Sequence, residues 1–151
     1  MTDTASPILK KLNDTLKKTV IEIGLEEVET DEKELKIFCD IIDDNYLKYL
    51  NSNTFPPGYI MNLTNSVIRK VFIKLGPIIM SKIQALIHVS SEVKYLKPMS
   101  MNEKYKIKIE TSEPIEKKGK TGTYYSVIFK TLIFDDKDLC ATDDHNFFFK
   151  L

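Results

Sequence analysis

The stretch Asp43-Asp44-Asn45-Tyr46-Leu47-Lys48 sets a pair of carboxylates just ahead of an ammonium group. A carboxylate with a titrating partner is the basic equipment of general acid–base chemistry. A histidine at the far end would pass a proton either way near neutral pH. Lys48 stays protonated there unless burial or a like charge depresses its pKa. Asp43 and Asp44 therefore carry two readings, a proton-transfer acid or the solvated end of a helix. His88 is the histidine available to work with Asp43. It sits on the mixed face of a period-2 stretch, where a lone histidine also serves as a hydrogen-bonded structural residue. His145 falls on the apolar phase of the last such stretch, beside Asp143 and Asp144, with no motif around it. A further chemical feature is Phe55-Pro56-Pro57-Gly58-Tyr59-Ile60, which opens a long apolar segment. Unpaired N–H groups of Gly58, Tyr59 and Ile60 at a helix start would polarise a carbonyl. The same turn also reads as a device that only positions a core helix.

These residues need elements to hold them. Residues 1–18 place Ile8, Leu9, Leu12 and Leu16 at helical spacing, which fits a short helix or an arm. Residues 19–23 alternate and predict a short strand. Asp31 and Glu34 have capping-box spacing, and Leu35, Phe38, Cys39 and Ile42 recur at i, i+3, i+4 and i+7, predicting a helix over 31–42. Beyond the double proline, Ile60, Leu63, Val67, Val71 and Leu75 form one stripe, with Gly76-Pro77 as its expected stop. Such a helix of about 17 residues is about 26 Å long. The second half changes period, and 83–95, 104–111, 123–134 and 139–149 read as strands joined by polar turns. Helices followed by a run of strands imply an α+β domain with an antiparallel sheet wrapped around one long central helix. Residues 19–151 are expected to form that single domain, with 1–18 as its arm.

Composition narrows the partners. The chain has 151 residues, 42% hydrophobic and 29% charged, as expected of one globular domain. Lys+Arg and Asp+Glu both number 22, so the balanced charge argues against a general nucleic-acid binder. No apolar run reaches membrane-spanning length. The first residues lack the apolar core of a signal peptide, so a cytoplasmic protein is expected. Cys39 and Cys140 lie in apolar patterns without paired spacing and are read as buried free thiols. With two histidines and no Cys/His clustering, no metal site is expected. Lys94, Lys97, Lys104, Lys106 and Lys108 fall on the polar faces of two strands expected to be neighbours. They read as solvated sheet lysines or as a surface for phosphates or an acidic carrier protein.

The segment Ile87 to Glu110 resembles the MaoC-like acyl-thioester dehydratases of the hotdog fold. Lys97-Pro98 matches the family's basic-Pro step, and Asn102-Glu103 stands where Gly-Asp is common. The lysine- and glycine-rich hairpin, acidic turn and last strand continue the likeness. FPPGYIM is similar to the start of the central helix in the non-catalytic halves of double-hotdog members. Active members carry Asp-x-Asn-Pro-x-His; here Asp43 and Asn45 are present, while Tyr46 replaces Pro and Lys48 replaces His. The resemblance implies a protein handling acyl thioesters on coenzyme A or acyl carrier protein, without a cofactor of its own. It implies Asp43 and His88 as candidate catalytic residues, and Asn45, Pro57, Gly58, Tyr59 and Ile60 as candidate substrate-binding ones. It also implies a homodimer, or a heterodimer with another hotdog subunit, joined edge to edge. The implied function is a non-catalytic or degenerate subunit of an (R)-specific enoyl-thioester hydratase or 3-hydroxyacyl-thioester dehydratase. An active homodimeric hydratase or acyl-CoA thioesterase, and a non-enzymatic acyl-binding module, are the alternatives.

Overall fold

A computed structural model describes residues 7–151, the side chains of 78–80 excepted. The first six residues of the expected arm lie outside the described residues. Helix α1 (Pro7–Ile23) buries Leu12, Leu16 and Thr19 on one face. The strand expected over 19–23 is therefore the end of α1. Thr-Val-Ile-Glu-Ile fits either period, but Thr19 extends the face that Leu12 and Leu16 begin, so tertiary burial decides for helix. Gly24, at φ +66°, ends it in the left-handed conformation, its N–H donating to the Val20 carbonyl at 3.2 Å. Strand β1 (Leu25–Glu29) comes next. Helix α2 (Glu32–Ile41) starts on Asp31, whose side chain accepts from the N–H of Lys33 and of Glu34.

Between α2 and the proline turn the sequence shows no regular element, yet α3 (Tyr46–Ser52) forms there. It is one short helix capped by Asn45 and closed by Asn53 at φ 53°. None of its side chains is fully buried, so no apolar stripe announces it. A 3-10 turn (Pro57–Tyr59) then leads into α4 (Ile60–Lys82). That helix runs past the expected stop at Gly76-Pro77. Gly76 does not take the positive φ of a helix-ending glycine. Pro77 sacrifices one backbone hydrogen bond, while Ile83 beyond the last turn packs against the core.

Five strands complete the chain: β2 (Ala85–Tyr95), β3 (Lys104–Thr111), β4 (Ile115–Gly119), β5 (Gly122–Phe134) and β6 (Leu139–Lys150). In the sequence β4 reads only as part of a hairpin turn, because all five of its residues are exposed and carry no buried phase. The strands form one antiparallel sheet in the order β1-β3-β5-β6-β2, with β4 paired to β5. β2 and β3 are thus far apart in the sheet, not neighbours. Of the lysines assigned to one patch, each has a carboxylate partner. Lys94 pairs with Glu92, Lys97 with Asp135 and Asp138, Lys104 with Glu27, Lys106 with Asp136, and Lys108 with Glu110.

The sheet curls around α4. Leu63, Val67, Ile68, Val71 and Leu75 meet Ile107, Ile109, Val127, Phe129, Ile133, Phe147 and Phe149 in one core. Phe72 of α4 sits edge-on to Phe129 and Phe147, at ring-centre distances of 5.8 and 4.8 Å. Aromatic pairs in this geometry add about 0.5–1.5 kcal/mol beyond their buried area. Cys39 and Cys140 are buried free thiols, and burial pushes both above the usual thiol range.

Candidate functional site

The strand partners of β6 bring a polar chain onto the face that α4 covers. Along β6, Ala141, Asp143, His145, Phe147 and Phe149 alternate inward and are all buried. In register with them on β2 are Tyr95 opposite Ala141, Val93 opposite Asp143 and Ser91 opposite His145. A bulge between His88 and Ser90 inserts one residue into β2. Residues 88 and 91 should face opposite ways in a regular strand. The bulge turns both side chains to the same side, where they meet.

Asp143 and His145 are each 0% exposed, and Asp143 Oδ2 lies 2.9 Å from His145 Nε2. The same oxygen accepts a hydrogen bond from the Thr64 hydroxyl of α4 at 2.8 Å. His145 Nδ1 is 3.0 Å from Ser91 Oγ, and Ser91 Oγ is 3.1 Å from His88 Nε2. His88 Nε2 is also 3.1 Å from the Ser90 carbonyl, and its ring stacks on Phe147 at 4.6 Å.

Donor and acceptor chemistry gives this chain one direction. The Ser90 carbonyl can only accept, so His88 Nε2 carries a proton. His88 Nε2 shares its one proton between that carbonyl and Ser91 Oγ, so the Ser91 hydroxyl does not donate to His88; with the Asp143 carboxylate against His145 Nε2, Nδ1 is left to accept from that hydroxyl. A neutral His145 with Nδ1 as acceptor carries its proton on Nε2, facing Asp143. That last contact lies off the line of a good hydrogen bond, so His145 Nε2, like Asp143 Oδ1, has no hydrogen-bond partner. The result is a hydrogen-bonded relay from exposed His88 through Ser91 to His145, whose far side lies 2.9 Å from a buried carboxylate.

The start of α4 joins the same face. The Tyr95 hydroxyl donates to the Pro57 carbonyl. Burial, with the charge of Asp143 behind it, pushes the Tyr95 phenol up to about 12, so it remains a donor at neutral pH. Of the helix-start groups expected to be free, the Tyr59 N–H donates to the Pro56 carbonyl at 2.9 Å and the Ile60 N–H to the Gly58 carbonyl. The Tyr59 ring is fully buried between Phe38 and Phe55, and Ile60 is buried too. Pro57 and Gly58 are exposed. A Cβ on Gly58 would stand 3.4 Å from the Phe38 ring, so this turn packs in contact distance of α2.

The Asp43 stretch is the turn between α2 and α3. Asp43 is exposed at φ 55°. The Asn45 side chain accepts from the Leu47 N–H at 3.0 Å as the cap of α3. Lys48 is 2.5 Å from Asp44, which also accepts from the Tyr49 hydroxyl at 2.7 Å. These bonds from Lys48 and Tyr49, with the Asn45 N–H, hold the Asp44 carboxyl down at about 2. The bond to Asp44 raises Lys48 in turn, which keeps it an ammonium. His88 is bonded to Ser90 and Ser91 rather than to this turn.

Sequence reasoning singles out His88 and weighs His145, but it misses Ser91, Tyr95, Thr64 and the role of Asp143. The available signal is Asp143 and His145 in phase with Phe147 and Phe149. Ionisable residues on the apolar phase of a strand are buried and so must be paired. Among the described residues no His/Cys/Asp/Glu group is arranged to hold a metal ion.

No protein-family model matches the sequence, and no curated protein does. Solved structures do match. The C-terminally truncated HadBC (3R-hydroxyacyl-ACP dehydratase) complex from Mycobacterium tuberculosis is 12% identical with a TM-score of 0.62, over 82% of this chain and 90% of that one. The ChsH1–ChsH2 complex from Mycobacterium tuberculosis is 14% identical at a TM-score of 0.59, over 89% and 90%. A thioesterase complexed with coenzyme A and zinc from Thermus thermophilus is 11% identical at 0.58, over 85% and 80%. At such identities the likeness speaks for backbone architecture, and the architecture this chain shares with those chains is the hotdog fold.

Proposed function

We propose that this chain is an acyl-thioester-binding hotdog subunit. Its ligand is carried on coenzyme A or acyl carrier protein, and it works paired with a second hotdog subunit along β2. The carrying observation is the free edge of β2. Among the described residues that strand pairs only with β6, and Ile87 and Val89 on it are 57% and 46% exposed. An eleven-residue edge with open N–H and C=O groups and apolar side chains is built to pair with another strand. Two of the similar structures, HadBC and ChsH1–ChsH2, are themselves complexes.

In this reading the chain is the degenerate member of an (R)-specific enoyl-thioester hydratase or 3-hydroxyacyl-thioester dehydratase. Asp44 and Lys48 satisfy each other as a local ion pair, which supports a turn without a proton shuttle. Pro57 and Gly58 at the exposed start of α4 are the proposed contacts to the thioester, beside Tyr95. We assign the protein to a reducing cytoplasm, a reading its two buried free thiols support. No described helix is long and apolar enough to cross a membrane.

The test is sedimentation of the pure chain, crotonyl-CoA hydration with and without a co-purifying hotdog partner, and acyl-CoA binding by titration. A dimer that binds acyl-CoA, and hydrates crotonyl-CoA only with the partner, is the expected result. A monomer that binds no acyl-CoA would end this reading.

A further inference from the structure

The relay is more than a degenerate subunit needs. Its members are ordered as nucleophile, base and carboxylate, with the nucleophile at the accessible end. Asp143 and His145 are fully buried, and Ser91 is half-buried on the edge strand. With Asp143 against His145 Nε2, the Ser91 proton is aimed at His145 Nδ1 over 3.0 Å. A serine hydroxyl is a weak nucleophile until an adjacent base takes its proton. A base gains that role when a third group holds its tautomer. Asp143 is held by Thr64 on the central helix and by the β6 backbone, whose carbonyl at residue 143 accepts from Thr131 at 2.9 Å. Thr64 of α4 therefore bonds the carboxylate itself, and Thr131 of β5 the backbone that carries it.

We infer that Ser91 is an acyl-accepting nucleophile served by His145 and Asp143, and that this chain hydrolyses acyl thioesters through a Ser91 acyl-enzyme. The inference takes its substrate class from the acyl-thioester reading above and its chemistry from the relay. Ser91 Oγ attacks the thioester carbonyl carbon while its proton passes to His145 Nδ1. Asp143 stabilises the imidazolium. The His88 N–H, now directed at Ser91 Oγ, moves to the carbonyl oxygen, which lies next to Oγ in the tetrahedral intermediate. The carbon–sulfur bond breaks and the thiolate takes the proton from His145. A water molecule then attacks the Ser91 ester, giving a proton to His145. The Oγ–carbon bond breaks, the carboxylic acid leaves, and Ser91 recovers its proton. One thioester and one water yield one acid and one thiol.

The experiment incubates the full chain with a fluorophosphonate probe and, separately, with butyryl-CoA. Mass spectrometry locates any adduct, and thiol release gives the rate. The expected adduct lies on Ser91. Ser91→Ala should remove it and lower thiol release by at least about 100-fold, while circular dichroism and butyryl-CoA binding stay as in the parent. Thiol release unchanged in Ser91→Ala overturns the inference. So does butyryl-CoA binding with no adduct at Ser91, which leaves the binding reading intact. An adduct at Ser91 without butyryl-CoA binding upholds the nucleophile and overturns that reading instead.

Discussion

At Asp143 burial sets the energetics. A fully buried carboxylate costs several kcal/mol to desolvate, so it survives only with close partners. Thr64 supplies a hydrogen bond, and the His145 ring faces the same oxygen. Removing one hydrogen bond to a charged group costs about 1.5–3 kcal/mol, so Thr64→Val should lower urea stability by that amount. His145→Leu strips the ring from beside Asp143 Oδ2, leaving Thr64 as the side chain that bonds it, and should cost more than Thr64→Val, about 3–5 kcal/mol. Equal losses in the two variants would mean that Asp143 does not rely on the imidazole. Asp44 is the contrasting case, solvated and locally paired. Its carboxyl is held below the ordinary value of about 3.9. The stability it adds is therefore present above that pH and lost as pH falls through about 2. Asp44→Asn should lower Tm at pH 6, and the difference from the parent should shrink as the pH approaches 2 and vanish below it. The sequence displays Asp43, Asn45 and Lys48 as a motif because their spacing is visible along the chain. The Ser91–His145–Asp143 relay is not visible there, because it is assembled by cross-strand register between segments far apart in sequence.

The elements that packing specifies strongly are legible in the sequence, and those it specifies weakly are not. The stripe from Ile60 to Leu75 and the Asp31 cap of α2 can be read because burial and capping leave periodic or positional marks. α3 and β4 bury no side chain, so they leave none. Residues 19–23 mislead because five residues satisfy either period, and the glycine after them closes a helix instead of a strand. That glycine offers a clean test. A Cβ there meets nothing closer than 3.8 Å, so the cost of Gly24→Ala is backbone strain alone. A left-handed conformation costs an L-residue about 1–2 kcal/mol. The variant should unfold at correspondingly lower urea concentration with an unchanged slope, whereas an unaltered midpoint would show that α1 ends some other way.

For the whole molecule, the α+β arrangement of one helix wrapped by one sheet is readable from element order, whereas strand order is not. Consecutive strands are expected to be neighbours, yet β2 and β3 stand well apart because the chain crosses over the sheet after Tyr95. That crossing leaves β2 as an edge. Ile87→Lys with Val89→Lys should convert the proposed dimer to a monomer in sedimentation without unfolding the chain, since both side chains are exposed outside the core. A dimer of undiminished affinity would place the interface elsewhere. The irregularity beside Val89 reaches further than its size. Strand residues obey an odd–even rule, and a single extra residue exchanges the two classes from that point on. Losing one codon there would strip His88 of its partnership with Ser91 while leaving every other amino acid unchanged. A descendant could thus silence or restore the chemistry by deletion or insertion alone, a step that alignments scored by substitution pass over.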